Sequence, residues 1–191
     1  MTIGKNIILQ AANWSNSAVG NGMLIRGHTD SSPDFACPAS SDDSLNVVEN
    51  DCGNLPSESD VFIERRTFTL SNGAVIWDFS GNVWEWTSYL QANQKATPAG
   101  EGWQQFINLT GTDSLAVTDL VPQVVLDNSW TSLDQAIGRY FPGDEGTGGA
   151  MRRGAPYNHN AFAGVFSANL GGNQTVKGIR VGFRCTSAVP Q

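Results

Sequence analysis

Asp78-Phe79-Ser80-Gly81-Asn82-Val83-Trp84-Glu85-Trp86-Thr87 is the stretch on which the fold turns. Its two tryptophans stand at period two around one glutamate, in a chain of which only 15% is charged. Period two is the repeat of a β-strand, so both indoles are expected on one buried face. A buried Trp removes roughly 150–250 Å² from water, and truncating it costs about 3–5 kcal/mol. That is a large share of the ~5–15 kcal/mol that keeps a whole domain folded. Glu85 points away from the indoles, and a carboxylate enclosed there needs a cation, Arg153 or Arg184, to offset its lost hydration.

On the N-terminal side of this strand, Phe68 to Phe79 reads as a hairpin. With Asn72-Gly73 as a two-residue type I′ turn, Leu70 falls opposite Val75 and Phe68 opposite Trp77, so these four share one face and Thr69 and Asp78 the other. At the far end of the chain Ile179, Val181, Phe183 and Cys185 alternate with Arg180, Gly182 and Arg184, which predicts a strand with its apolar set turned inward. Ile3, Ile7 and Ile8 share a helical face over about Thr2 to Leu9. Asn13 to Arg26 reads as a loop entering a strand at Met23–Arg26. Ser88 to Thr147 is long, polar and poorly periodic apart from Val121 to Leu126 and a helix expected over Leu133–Tyr140, with Ser132 and Gln135 as its capping box. Trp103 and Trp130 imply that this long segment packs on a surface rather than standing free.

The chain has 191 residues, 40% of them hydrophobic, with 21 Gly and 8 Pro. These figures fit one domain over residues 1–191, built of short strands, many turns, long loops and one or two helices, an α+β class. A formal net charge of −7, with no basic cluster larger than a pair such as Arg152-Arg153, argues against nucleic acid and against anionic membrane surfaces as partners. No apolar run reaches the ~20 residues of a membrane span, and the N-terminal residues lack the zones of a secretory leader.

Between Thr29 and Asp60 every charge is acidic: Asp30, Asp34, Asp42, Asp43, Glu49, Asp51, Glu58 and Asp60. Such a run is ordinarily a solvated loop, with a structural calcium ion as the other reading, although no EF-hand spacing occurs. Apart from that ion, no cofactor is expected. Cys37 and Cys52 bracket the run and are able to close it in an oxidising compartment, while Cys185 reads as a small buried apolar residue.

Catalytic patterns are missing. His28 and His159 stand alone, outside any zinc spacing. No G-x-S-x-G elbow is present, and Gly146-Thr147-Gly148-Gly149 is not followed by the residues of a phosphate loop. His159 reads either as an exposed loop imidazole or as a ligand contact.

Three short motifs, G-N-V-W-E-W at 81–86, Arg153-Gly154 followed by Tyr157, and Gly182-Phe183-Arg184, occur in that order. Together they resemble the formylglycine-generating-enzyme (sulfatase-modifying factor) type of C-type lectin fold. Arg66 to Gly73 leading into Val75-Ile76-Trp77-Asp78, together with Ala163 to Leu170, further resembles the variable proteins of diversity-generating retroelements. This resemblance covers nearly the whole chain. The oxidase of the wider family works through a pair of its own cysteines in the segment that here reads Asn158 to Gly164, which contains none, so an enzyme is not expected.

The resemblance implies a variable region at about 152–185 whose codons are rewritten at adenines. The positions that depart from the template pattern, and so form the expected ligand-binding set, are Pro156, Tyr157, His159, Phe162, Gly171, Gly172, Val176, Gly178 and Arg180. Trp84, Glu85, Trp86, Arg153, Gly154, Phe183 and Arg184 are the expected scaffold. Tyr, His, Phe and Arg beside Gly and Asn is also the mixture that paratopes use. The implied function is recognition of a protein or glycan on a host or target surface by a domain displayed on a virion or cell surface, either within a longer chain or in a multivalent assembly. Two other classes stay open on the sequence: a formylglycine-generating-like enzyme, and a calcium-dependent sugar lectin, whose E-P-N or Q-P-D signature is absent.

Overall fold

In a computed structural model the described residues are 2–27, 29, 46–47, 63–91, 102–106, 129–141 and 149–184. Cys37, Cys52, Cys185, His28, the acidic residues between 30 and 60 and the Val121–Leu126 segment lie outside them. The architecture is mixed, mostly short strands with almost no helix. Among the described residues one α-helix, α1 (Thr2–Ile8), is followed by a 3-10 turn at Ala11–Asn13, and another 3-10 turn lies at Asn160–Phe162. The strands are β1 (Asn46–Val47), β2 (Ile63–Glu64), β3 (Thr67–Thr69), β4 (Val75–Trp77), β5 (Trp84–Gln91), β6 (Tyr140–Phe141), β7 (Gly149–Arg153), β8 (Ala168–Asn169) and β9 (Val181–Gly182). No helix among the described residues is long and apolar enough to cross a membrane.

Two small antiparallel sheets, β1-β2 and β3-β4, accompany a five-stranded sheet in the order β6-β8-β7-β5-β9. That sheet is mixed: β5-β7 and β7-β8 run antiparallel, whereas β5-β9 and β6-β8 run parallel. The register sets Glu85 beside Arg153 and Trp86 beside Arg152, then shifts between Trp86 and Leu90.

Because side chains alternate along a strand, the sheet divides its residues between two faces. One carries Met151, Ala168 and Tyr140 into the principal core, where they meet Ile7, Ile8, Trp14, Leu24, Phe68, Phe106, Ile137, Val165, Phe166 and Leu170. Trp130 closes that core with its ring edge-on to Trp14 at 5.0 Å. The opposite face carries Trp84, Trp86, Arg152 and Phe141, and a smaller cluster of Trp84, Ala155 and Ala163 with Trp103 and Val181 lies on it.

Several elements differ from the sequence expectations. Leu70 N–H donates to the Ala74 carbonyl and Gly73 N–H to the Leu70 carbonyl, so the hairpin loop has three residues, not two. Gly73 (φ +81°) supplies the left-handed residue that such a loop requires. The register consequently pairs Phe68 with Ile76 and Thr67 with Trp77. Phe68 enters the core, while Val75 and Trp77 are 53% and 39% exposed.

The helix expected over Leu133–Tyr140 is absent. One capped turn forms instead, in which Thr131 Oγ1 accepts from Asp134 N–H and Gln135 Oε1 accepts from Thr131 N–H. Ala136, at φ +60°, ends it. The segment Met23–Arg26 is held by single bridges rather than as a named strand, with Trp14 opposite Leu24.

The terminal strand is the largest correction. β9 has two residues at the sheet edge, and Ile179 and Phe183 are 75% and 74% exposed. An edge strand this short has no second layer over its outer part, so alternation there does not imply burial.

Candidate ligand-binding face

The backbone around the central strand is tightly turned. Asp78, Gly81 and Asn82 have φ of 50°, 90° and 63°, respectively. Gly81 N–H donates to the Gly154 carbonyl and Tyr157 N–H to that of Asn82. These bonds draw the chain after β7 back across the beginning of β5. At Gly154 (φ +91°) a Cβ would come within 2.9 Å of the Phe79 carbonyl oxygen, so only glycine fits this corner.

The corner lays residues 155–163 over Trp84, which is 4% exposed. Trp103 stacks on Trp84 with ring centroids 5.9 Å apart and planes within 10°. His159 stands edge-on to both, 5.2 Å from Trp84 and 4.9 Å from Trp103. Phe162 stacks against the far side of the group, 6.2 Å from Trp103, with the Arg139 guanidinium 4.2 Å above its ring. Phe141 completes the arrangement 5.6 Å from Trp103.

Cations border this aromatic patch. The Arg152 guanidinium lies 5.3 Å from the Trp86 ring centroid and 5.9 Å from that of Trp84. Gly172 packs against it so closely that a Cβ there would sit 2.7 Å from Arg152 Nη2. Arg180 lies 5.9 Å over the Tyr157 ring, with its Nε donating to the phenol oxygen at 3.4 Å. Burial, and then the charges of Arg180 and Arg152, push the His159 imidazole down to about 4, so it is neutral at pH 7. Burial also lowers Arg152, and it lowers Arg153 to about 10, which still leaves Arg153 charged.

Of the expected ligand-binding residues, the fold gathers Tyr157, His159, Phe162, Gly172 and Arg180 around Trp84, Trp103 and Arg152. His159 and Phe162 are half-buried and Arg180 is exposed, but Tyr157 is 5% exposed, and Pro156 and Gly172 are buried too. Those three are therefore packed residues of the patch rather than freely exchangeable surface. Gly171 is half-buried, and Val176 and Gly178 lie on the exposed run 173–180.

Of the expected scaffold, Trp84 and Gly154 are buried, Trp86 is half-buried beneath Arg152, and Phe183 is solvent-exposed. Glu85 finds its cation in Arg184 at 2.7 Å, at a partly open site where the two side chains are 17% and 34% exposed. Arg153 directs Nη1 to the Phe166 carbonyl at 3.2 Å. Trp103, Arg152, Phe141 and Arg139 belong to the patch and were not singled out as site residues in the sequence. Their only local signal is large or cationic side chains in otherwise polar or turn-rich stretches.

No group of three or more His, Cys, Asp or Glu side chains placed to hold a metal ion occurs among the described residues. Compared with protein-family models, with curated proteins and with solved structures, the chain finds no match.

Proposed function

We propose that this protein is a recognition module: a C-type lectin-like scaffold of the formylglycine-generating-enzyme type that presents a ligand-binding face varied by a retroelement. One spatial observation carries the reading. His159, Phe162 and Arg180, nominated as variable by the resemblance, gather with the packed Tyr157 on one face of the central sheet around Trp84 and Trp103. Tyr157, His159 and Phe162 are close in sequence, and Arg180, eighteen residues beyond Phe162, is brought to them by the fold. A rigid aromatic floor held by strands, bearing interchangeable side chains from loops, is what a varied binding surface needs, because the loops change while the floor keeps its shape.

The scaffold reading is supported by the sheet order. Arg152-Arg153 end β7, Trp84-Glu85-Trp86 open β5 and Gly182 ends β9, and β5 lies between the other two. The three motifs of the resemblance are thus neighbours in space as well as ordered in sequence. In this reading the protein acts by binding, not catalysis, and its partner is a protein or glycan on a host or target surface.

The deciding experiment is to sequence the flanking DNA. A reverse-transcriptase gene, with a near-copy of the Arg153–Arg184 coding segment that differs mainly at adenines, is the expected result. A neighbourhood holding neither sinks the retroelement reading.

A further inference from the structure

The patch holds three arginines, Arg139, Arg152 and Arg180, in a chain whose net charge is −7. Among the described residues the ion pairs are Arg66 with Asp78 and Arg184 with Glu85, and no carboxylate pairs with Arg152 or Arg180. Arg152 is held from several sides. Trp86 and Trp84 lie under its guanidinium, and the bare α-carbon of Gly172 presses against it. Its Nε is enclosed and meets no hydrogen-bond partner; nor does His159 Nδ1.

A guanidinium stacked in this way has lost water from its faces while its N–H edges stay directed along the plane of the fork. The two Nη groups, which are neither enclosed nor hydrogen-bonded, are the donors left open to a ligand. Arg180, exposed above Tyr157, adds a second positive charge at the border of the same patch. His159 stands edge-on to the two Trp rings and within the field of Arg180 and Arg152, with no described carboxylate contributing to that field.

We propose that Arg152, Arg180 and His159 form a carboxylate-binding site on this face, with the half-buried Trp86 and Trp103 receiving the flat or apolar body that carries the carboxylate and the buried Trp84 supporting them from beneath. The inference deepens the recognition reading and rests on this face being the ligand site. A planar carboxylate matches the two Nη groups of a guanidinium with two parallel hydrogen bonds, and a neutral imidazole protonated at Nε2 offers one further donor beside it. The aromatic floor favours an acid attached to an apolar group over a small, fully hydrated inorganic anion. Charge complementarity agrees, since this basic spot stands out on an acidic protein and steers acidic groups to it.

The test uses the ¹⁵N-labelled full chain titrated with N-acetylphenylalanine, with its neutral amide and with sulfate, following the arginine Nε–H and tryptophan indole resonances. The acid is expected to shift the Arg152 Nε–H and the Trp86 and Trp103 indole signals saturably, and to bind at least about tenfold more tightly than the amide, as expected for a charge-assisted pair. Arg180→Gln, an exposed change that leaves folding intact, is expected to weaken the acid several-fold, and Arg152→Lys to weaken it by about tenfold because the fork is lost while the charge is kept.

Equal binding of acid and amide overturns the proposal, as does sulfate binding as tightly as the acid, the absence of any saturable shift, or parent-like affinity in both variants. Arg152 is not among the nominated variable positions. Failure here therefore leaves the flanking-DNA test untouched, and failure of that test leaves this one standing.

Discussion

Arg184 holds Glu85 with Nη2 2.7 Å from Oε1 and Nε 3.1 Å from each carboxylate oxygen, and the same Nη2 reaches the carbonyls of Trp77 and Asp78 at 2.8 and 3.2 Å. One guanidinium thereby joins the chain just after the edge strand β9 to its neighbour β5 and to the corner that leaves β4. Arg184→Met breaks all of these contacts and is expected to cost about 1–3 kcal/mol, the range for hydrogen bonds to a charged group. Glu85→Gln removes only a partly exposed, solvent-screened attraction and is expected to cost about 0.5–1 kcal/mol. Urea unfolding of the two single variants and the double variant measures both costs and their coupling. Equal costs for the two single variants contradict the assignment.

Trp84 and Trp86 are expected to behave differently despite their identical place in the pattern. Trp84 is 4% exposed and stacked on Trp103, so Trp84→Ala is expected to cost about 3–5 kcal/mol. Trp86 is half-buried with Arg152 over it, and Trp86→Ala is expected to cost about 1–2 kcal/mol, from reduced burial and a lost cation–π contact. Thermal scans of the two variants decide the order.

The asymmetry between these tryptophans shows what the sequence makes legible. Period-two spacing located β5, and the lone glutamate announced a cation partner, because both follow from local geometry and from the cost of an enclosed charge. What it did not settle were quantities fixed by neighbours distant in the chain. The Asn72-Gly73 pair signalled a hairpin, but Asn72 Oδ1 accepting from Ala74 N–H belongs to the longer loop, and one additional loop residue turns Val75 and Trp77 outward. The alternation at 179–185 is genuine, yet nothing within it says that β9 is a two-residue edge strand. Trp103 sits among polar residues with no periodicity, so its place at the centre of the ring stack depends on contacts with Trp84, Phe141 and His159 that only the fold supplies.

His159 predicts a pH dependence whose sign follows from its burial. Its folded value is about 4, against 6.5 for an unperturbed imidazole, so between these values the unfolded chain binds the additional proton. The stability associated with the neutral ring is therefore complete above about pH 6.5 and is lost as pH falls toward about 4. His159→Gln removes this dependence. The check is the difference between parent and variant stability at pH 7 and at pH 4.5, because carboxylates titrating elsewhere contribute equally to both. A difference that does not change with pH contradicts the enclosed, neutral imidazole.

Within the terminal segment, tolerance to exchange is expected to follow packing rather than the sequence pattern. A Cβ added at Gly178 meets nothing within 4 Å, whereas one at Gly172 comes within 2.7 to 2.9 Å of Nη2, Nε and Cζ of Arg152. Gly178→Ala and Val176→Ser are expected to change stability by less than about 0.5 kcal/mol, the usual range for surface positions, and Phe183→Ser is expected to be similarly mild, since that ring is 74% exposed. Gly172→Ala has to move a guanidinium off Trp86, and Tyr157→Asn removes a ring that is 5% exposed, so each is expected to cost about 1–3 kcal/mol. Melting curves of the five variants give the ranking. If Gly172→Ala proves as silent as Gly178→Ala, the guanidinium is free to leave the tryptophans at little cost, and the rigid cationic floor argued for this face is lost with it.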